Sequence, residues 1–186
     1  MNNNIRICAI LGTGRPYSYT GFAMQLVINE LKTMQNRTNI SVDFISPSRL
    51  ELVFPGEKLN NAESLDFKKI VADSDGLVFG TPEYHGSIAA YAKLIIENLG
   101  FPSVLKDKPV SLLGCAAGSI GAIKALEQLR TVLSHVGALP LPRAISIPNV
   151  QKVFNSEGIC IDPESEIQIR SVASQLITFL DSKISY

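Results

Sequence analysis

Apolar and polar positions along this chain fall into blocks whose period switches between that of a buried strand and that of an amphipathic helix. The near-continuous apolar run Ile5–Leu11 predicts a buried strand. The pattern then reads helical over Gly21–Met34, extended over Ile40–Ser46, irregular with two prolines over Pro47–Asn61 and helical over Glu63–Ala72. Gly76–Gly80 predicts a second fully buried strand, Ile88–Leu99 a helix and Val110–Cys115 a strand. A helix over Ser119–Val136 would bury Ala122, Leu126, Leu129, Leu133 and Val136 as one stripe. Ala144–Ile147 reads as the last strand. Asp162-Pro163-Glu164 then supplies a cap, a first helical position and an acidic first turn, opening a helix that buries Ile169, Val172, Ala173, Leu176, Ile177 and Leu180.

Strands alternating with helices predict an α/β three-layer sandwich, a five-stranded parallel sheet with helices on both faces. Pro140, Pro142 and Pro148 surround the last strand, which places it at a sheet edge, because proline cannot donate to a ladder. Ligands on such sheets bind at the carboxyl ends of the strands, where Gly12–Thr20, Thr81–Ser87 and Ala116–Gly121 would converge.

A length of 186 residues predicts one domain over residues 1–186. The 17 basic and 17 acidic residues cancel without long runs, which argues against nucleic acid or a membrane surface as partner. The apolar stretches are too short to span a bilayer, and Met1–Arg6 leads straight into a strand without the pattern of a cleavable signal. Cys8, Cys115 and Cys160 form no C-x-x-C, and with only His85 and His135 beside them no metal ligand set is apparent. Free thiols predict a cytoplasmic protein.

The first candidate site is the turn Gly12-Thr13-Gly14-Arg15-Pro16-Tyr17-Ser18-Tyr19-Thr20 between a strand and a helix. Helix N-termini offer unpaired amides and the positive end of a dipole. The hydroxyls of Thr13, Ser18 and Thr20 and the guanidinium of Arg15 add to a phosphate seat. The turn has no Gly-Lys-Ser/Thr ending, and Tyr17 stands where a dinucleotide fingerprint needs its third glycine. The alternative is a surface turn in which Ser18 or Thr20 is only the helix cap. The second candidate is Thr81-Pro82-Glu83-Tyr84-His85-Gly86-Ser87, where backbone groups and the faces of Tyr84 and His85 suit a flat ligand; its alternative is a plain turn with Ser87 as cap. Cysteine-phosphatase spacing fails, since Gly121 and Gly14 stand where the arginine is needed, and no Gly-x-Ser-x-Gly elbow occurs.

These two loops, together with Ala117-Gly118-Ser119-Ile120-Gly121-Ala122, resemble the NADPH-dependent FMN reductases, a flavodoxin-like family that includes azoreductases, quinone reductases and chromate reductases. The second loop is the specific match; after it, Ala90-Tyr91-Ala92-Lys93-Leu94 keeps only the lysine of the family's Gly-x-Leu-Lys-Asn. The resemblance implies that Thr13, Arg15, Ser18 and Thr20 hold the FMN phosphate and that Pro82, Glu83, Tyr84 and His85 line the ring. Ala117, Gly118 and Ser119 would approach the ring's other side, and Tyr19 and Ser87 count among the cofactor-binding residues as members of the same loops. It further implies hydride transfer from NADPH or NADH to FMN, then electron transfer to a small acceptor such as free flavin, a quinone, an azo compound or a metal oxyanion. The chemistry belongs to the cofactor, so no acid–base residue is nominated. The alternative from another class is a non-enzymatic electron carrier or flavin-bound interaction module; the chain's neutrality speaks for the enzyme.

The helix Ile88–Leu99 is apolar around most of its circumference, with Lys93 and Glu97 its only charges. One face packs on the sheet, and the other predicts a homodimer or homotetramer with Tyr91 in the interface. The alternative is that Pro47–Asn61 covers that face.

Overall fold

The computed structural model describes residues 4–34, 39–57 and 63–184, so Met1–Asn3 and the end of the irregular connection at 58–61 lie outside the described residues. Among the described residues, seven strands and five α-helices follow in order: β1 (Ile5–Leu11), α1 (Tyr19–Thr33), β2 (Ile40–Ile45), α2 (Glu63–Asp73), β3 (Gly76–Tyr84), β4 (Ser87–Ile88), α3 (Ala90–Asn98), β5 (Pro109–Cys115), α4 (Ile123–His135), β6 (Leu139–Pro140), β7 (Ile145–Ile147) and α5 (Pro163–Ile184).

The main sheet runs β2-β1-β3-β5-β6, all parallel, with β7 continuing the edge along the later part of β5. The chain leaves β1 toward β2 and crosses back to β3 on the other side, so the order reverses between β1 and β3. That reversal opens a crevice beyond their carboxyl ends. The register sets Leu11 beside Gly80 and Pro82 beside Cys115, which brings the ends of β1, β3 and β5 to one edge.

Alternation along each strand makes two cores. Ile5, Ile7, Ala9 and Leu11 face α1 and α5, meeting Met24, Val27, Leu31, Val172 and Leu176. Cys8, Ile10, Leu77, Phe79 and Leu112 face α2, α3 and α4, meeting Phe67, Ile95, Leu129 and Leu133. Each large side chain fully buried in this way stabilises the fold by about 1.5–3 kcal/mol.

Several boundaries move from the pattern's expectation for local physical reasons. Helix α1 starts at Tyr19 because the Ser18 side chain caps it, accepting from the Gly21 amide at 3.0 Å. Strand β3 runs on through Pro82 to Tyr84 and folds back into β4, pairing Glu83 with Ile88 and Tyr84 with Ser87. His85 (φ 51°) and Gly86 (φ 71°) occupy the two central positions of that hairpin, both left-handed as a two-residue turn of this type demands, and glycine adopts this conformation at no steric cost. Ser87 is therefore a strand residue; the cap position of α3 is Ala89. The expected single edge strand Ala144–Ile147 is instead two short ones. The prolines lift the chain off β5 between them, and the Arg130 guanidinium donates to the carbonyls of Pro140, Leu141 and Pro142 at 3.2, 2.7 and 3.1 Å.

The connection after β2 covers part of α3. Leu50 and Leu52 pack against the second core, and the Asn98 side chain bonds both the amide and the carbonyl of Val53 at 3.1 and 2.9 Å. The ammonium of Lys108 donates to the carbonyls of Ala72 and Ser74 at the end of α2, and burial pushes its pKa down. No helix among the described residues is long and apolar enough to cross a membrane.

Candidate functional site

The turn after β1 is organised by its own side chains. The buried Thr13 hydroxyl accepts from the Arg15 amide at 3.3 Å, and Ser18 caps α1 with its oxygen while, among the described residues, its own O–H has no acceptor. Among the described residues the amides of Tyr19 and Thr20 have no backbone acceptor and the Arg15 guanidinium meets no carboxylate. Free amides, a hydroxyl and a fixed positive charge at a helix N-terminus make an anion seat. Tyr17 is held at φ 52° and is 90% exposed, a conformation that costs a bulky residue energy and turns its ring out at the mouth of this seat. Thr20 is buried, and its hydroxyl bonds the Cys115 thiol at the end of β5. Burial pushes that thiol up to about 12, so it stays protonated.

The hairpin after β3 is held from a distance. The Glu83 carboxylate accepts from the Ala125 amide at 3.1 Å, doing for the first turn of α4 what its cap residue Ala122 cannot. Gln128 takes the Ser87 hydroxyl (2.7 Å) and the Ile88 amide (3.4 Å) on its carbonyl oxygen, and its NH₂ group reaches the Gly86 carbonyl at 3.5 Å. A contact of 3.5 Å between the hydroxyls of Thr13 and Tyr84 joins the two loops.

The third wall is the turn after β5, whose carbonyls are tied to the segment after β7. The amides of Val150 and Asn149 donate to Ala116 and Gly118, and the Gln151 side chain to Ala117. This bracing, with the Ala122 amide bonded to Ser146, delays the start of α4 from the expected Ser119 to Ile123.

Between these walls lies a cavity of about 460 Å³, in the range of small-molecule sites. Of the residues expected from the sequence, Arg15, Ser18, Tyr19, Thr20, Pro82, Glu83, Tyr84 and Ala117 line it. Thr13 stands behind the turn, in a smaller cavity of about 330 Å³ on its outer side. His85 sits at the hairpin tip and Ser87 faces α4, so neither lines the larger cavity; Gly118 and Ser119 lie just beyond it in an exposed stretch. Tyr17, Phe22, Cys115, Ala116, Val150, Asn155 and Ser156 line it without having been singled out. Cys115 and Ala116 follow directly from the strand end. Asn155 and Ser156 come from a distant turn with no motif to announce it. Among the described residues no group of three or more His, Cys, Asp or Glu could hold a metal ion.

A parallel sheet flanked by helices, with a cavity at its point of reversal, defines a flavodoxin-like α/β protein. The model of the NADPH-dependent FMN reductase family matches residues 5–152, and the chain belongs to that family. It is an FMN-dependent NAD(P)H oxidoreductase. Similar curated proteins include an NADH-dependent flavin reductase subunit 2 of Lactobacillus johnsonii, 30% identical over 95% of this chain and 98% of that one. An FMN-dependent NADPH-azoreductase of Staphylococcus aureus is 26% identical over 93% of this chain and 94% of that one. The structure of the flavoenzyme NAD(P)H:(acceptor) oxidoreductase from Paracoccus denitrificans shares the fold with a TM-score of 0.75 at 20% identity, over 96% of this chain and 98% of that one.

Proposed function

We propose that the 460 Å³ cavity is the FMN site, with the phosphate at the start of α1 and the ring between the β3–β4 hairpin and the turn after β5. The observation that carries this reading is the continuity of the cavity, which joins the Arg15–Thr20 anion seat to the Pro82–Tyr84 wall. The donor set fits the group: a positive fork, a hydroxyl and unpaired amides at one end, and at the other a wall for a flat ring whose charged residue, Glu83, has its carboxylate engaged by the Ala125 amide. FMN, when bound there, supplies the hydride uptake from NADPH or NADH and the release of electrons to an acceptor.

The chain's own residues position and polarise. Arg15 neutralises the phosphate and Ser18 donates to it. Pro82, lacking an N–H and fixed in φ, gives the ring a stiff wall. Among the described residues the amides of Gly118 and Ser119 have no acceptor and are available to the ring's polar edge. Glu83 is committed to α4, which supports a role through position rather than proton transfer. The compact seat supports FMN over FAD. The acceptor is a small molecule, with free flavins, quinones, azo compounds and metal oxyanions as its class. The free thiols support a reducing, cytoplasmic setting.

The same reading includes a homodimer or homotetramer built on α3 and α4. Two adjoining clefts of about 580 and 500 Å³ share Lys93, Thr131 and Val132 and are bordered by Ile88, Ile96 and Phe101, the last 88% exposed. Tyr91 lies with one side of its ring on Gly14 and stays 46% exposed, so only its outer side is free for a partner.

Anaerobic addition of NADPH, then NADH, to the FMN-loaded protein tests the function. The flavin absorbance should bleach and return on adding a quinone or azo dye. A bound flavin that neither nucleotide bleaches would overturn the reading.

A further inference from the structure

The match to the family model ends at residue 152, yet the next residues build part of the cavity wall. Phe154 and Cys160 pair across a small antiparallel hairpin. Inside it the Asn155 side chain accepts from the amides of Glu157 and Ile159 at 3.0 and 2.8 Å, and its backbone amide donates to the Ile159 carbonyl at 3.0 Å. The hairpin is docked on the first turn of α1. Phe154 is buried and stacks on Tyr19 (centroids 6.3 Å apart, 26° between planes), and it also meets Phe22 at 5.9 Å. Phe22 in turn packs against the backbone of Gly158. Three rings therefore fix the hairpin to the helix whose N-terminus forms the anion seat.

Ser156 is the tip residue that reaches the cavity together with Asn155. Every other polar backbone donor around the turn is used: Asn155, Glu157, Gly158 and Ile159 all donate within the hairpin. Among the described residues neither the amide nor the hydroxyl of Ser156 has a partner. Glu157 follows it, exposed and outside the cavity lining.

We propose that this hairpin closes the phosphate end of the cavity, with Ser156 donating its amide and hydroxyl to the phosphate of FMN, and that this contact favours FMN over riboflavin. The proposal rests on the FMN reading above. It adds a phosphate contact from a segment distant in sequence from the turn that carries Arg15. Docking on Tyr19 and Phe22 puts the tip at the anion seat, whereas the ring hairpin is anchored to α4 on the opposite wall.

The test titrates the full-length chain, freed of flavin, with FMN and with riboflavin, following flavin fluorescence. Ser156 is exposed, so its substitutions leave the core untouched. Ser156→Glu should raise the FMN dissociation constant about tenfold or more through like-charge repulsion and leave riboflavin within about twofold. Ser156→Ala should weaken FMN by roughly two- to fivefold, since the amide remains, again sparing riboflavin. Unchanged FMN binding by Ser156→Glu, while Arg15→Ala weakens it, would overturn the hairpin's role and keep the site. Equal weakening of both flavins would place the tip at the ring and also overturn the proposal. Wild-type protein that binds FMN no better than riboflavin, with Arg15→Ala unchanged as well, would bring down the site assignment itself.

Discussion

The turn after β1 and the hairpin after β3 face each other across one cavity but are held in opposite ways. The first is self-organised: Thr13 bonds Arg15, Ser18 caps α1, and each partner lies within three residues. The second depends on α4, through Glu83 to Ala125 and through Gln128 to Ser87, Ile88 and Gly86, some forty positions along the chain. A loop held locally carries its function in its own residue types. A loop held from afar carries it in the element that clamps it, so the hairpin wall is tuned by α4 as much as by its own sequence.

Substitutions should separate the two. Arg15→Ala removes a charge-assisted contact and is expected to weaken FMN by about 1–3 kcal/mol while sparing riboflavin, which lacks the phosphate. Paired titrations with the two flavins would read this. An equal loss for both would erase the distinction between the walls.

The thiol beneath the anion seat gives the next effect. Cys115 stays protonated up to about pH 12 in the fold, whereas an unfolded thiol ionises near 9. The unfolded chain then holds fewer protons above pH 9, so stability falls as pH rises, by about 1.4 kcal/mol per unit for each such thiol. Urea unfolding between pH 8 and 10.5 should show the slope, and Cys115→Ala should reduce it by one thiol's share, the buried Cys8 thiol keeping its own. An unchanged slope in that variant would detach Thr20 and Cys115 from the buried floor assigned to them.

Gln128→Ala should act on the other wall. Losing the clamp is expected to cost about 1 kcal/mol of binding, shared equally by FMN and riboflavin because the ring is common to both. A loss confined to FMN would show that the clamp serves the phosphate side. The smallest effect belongs to neither wall. Ser111 in β5 carries a buried hydroxyl with no hydrogen-bond partner among the described residues, so Ser111→Ala should be neutral or stabilising, within about 0.5 kcal/mol in urea unfolding, with flavin binding unchanged.

What was legible in the sequence follows the same division. The strand–helix alternation, the edge position of the proline-flanked strand and the Ser18 cap of α1 all rest on local period, local caps and local turn chemistry. The continuation of β3 into a hairpin was not legible, because Pro82 and Gly86 read as an ordinary exit loop, Ser87 reads as its last residue and Ile88 as the first residue of the helix pattern. The split of the edge strand depends on Arg130, a residue of α4. Asn155 and Ser156 escaped notice because their place is fixed by three aromatic rings drawn from α1 and the hairpin, a contact that no spacing announces.

A crystal structure of the protein with FMN tests the central claim most directly. The account predicts the phosphate at the start of α1 beside Arg15 and Ser18, with Ser156 also in contact with it, and the ring between Pro82–Tyr84 and Ala116–Ala117. A flavin whose phosphate lies away from that turn, or whose ring occupies the cleft between α3 and α4, would contradict it.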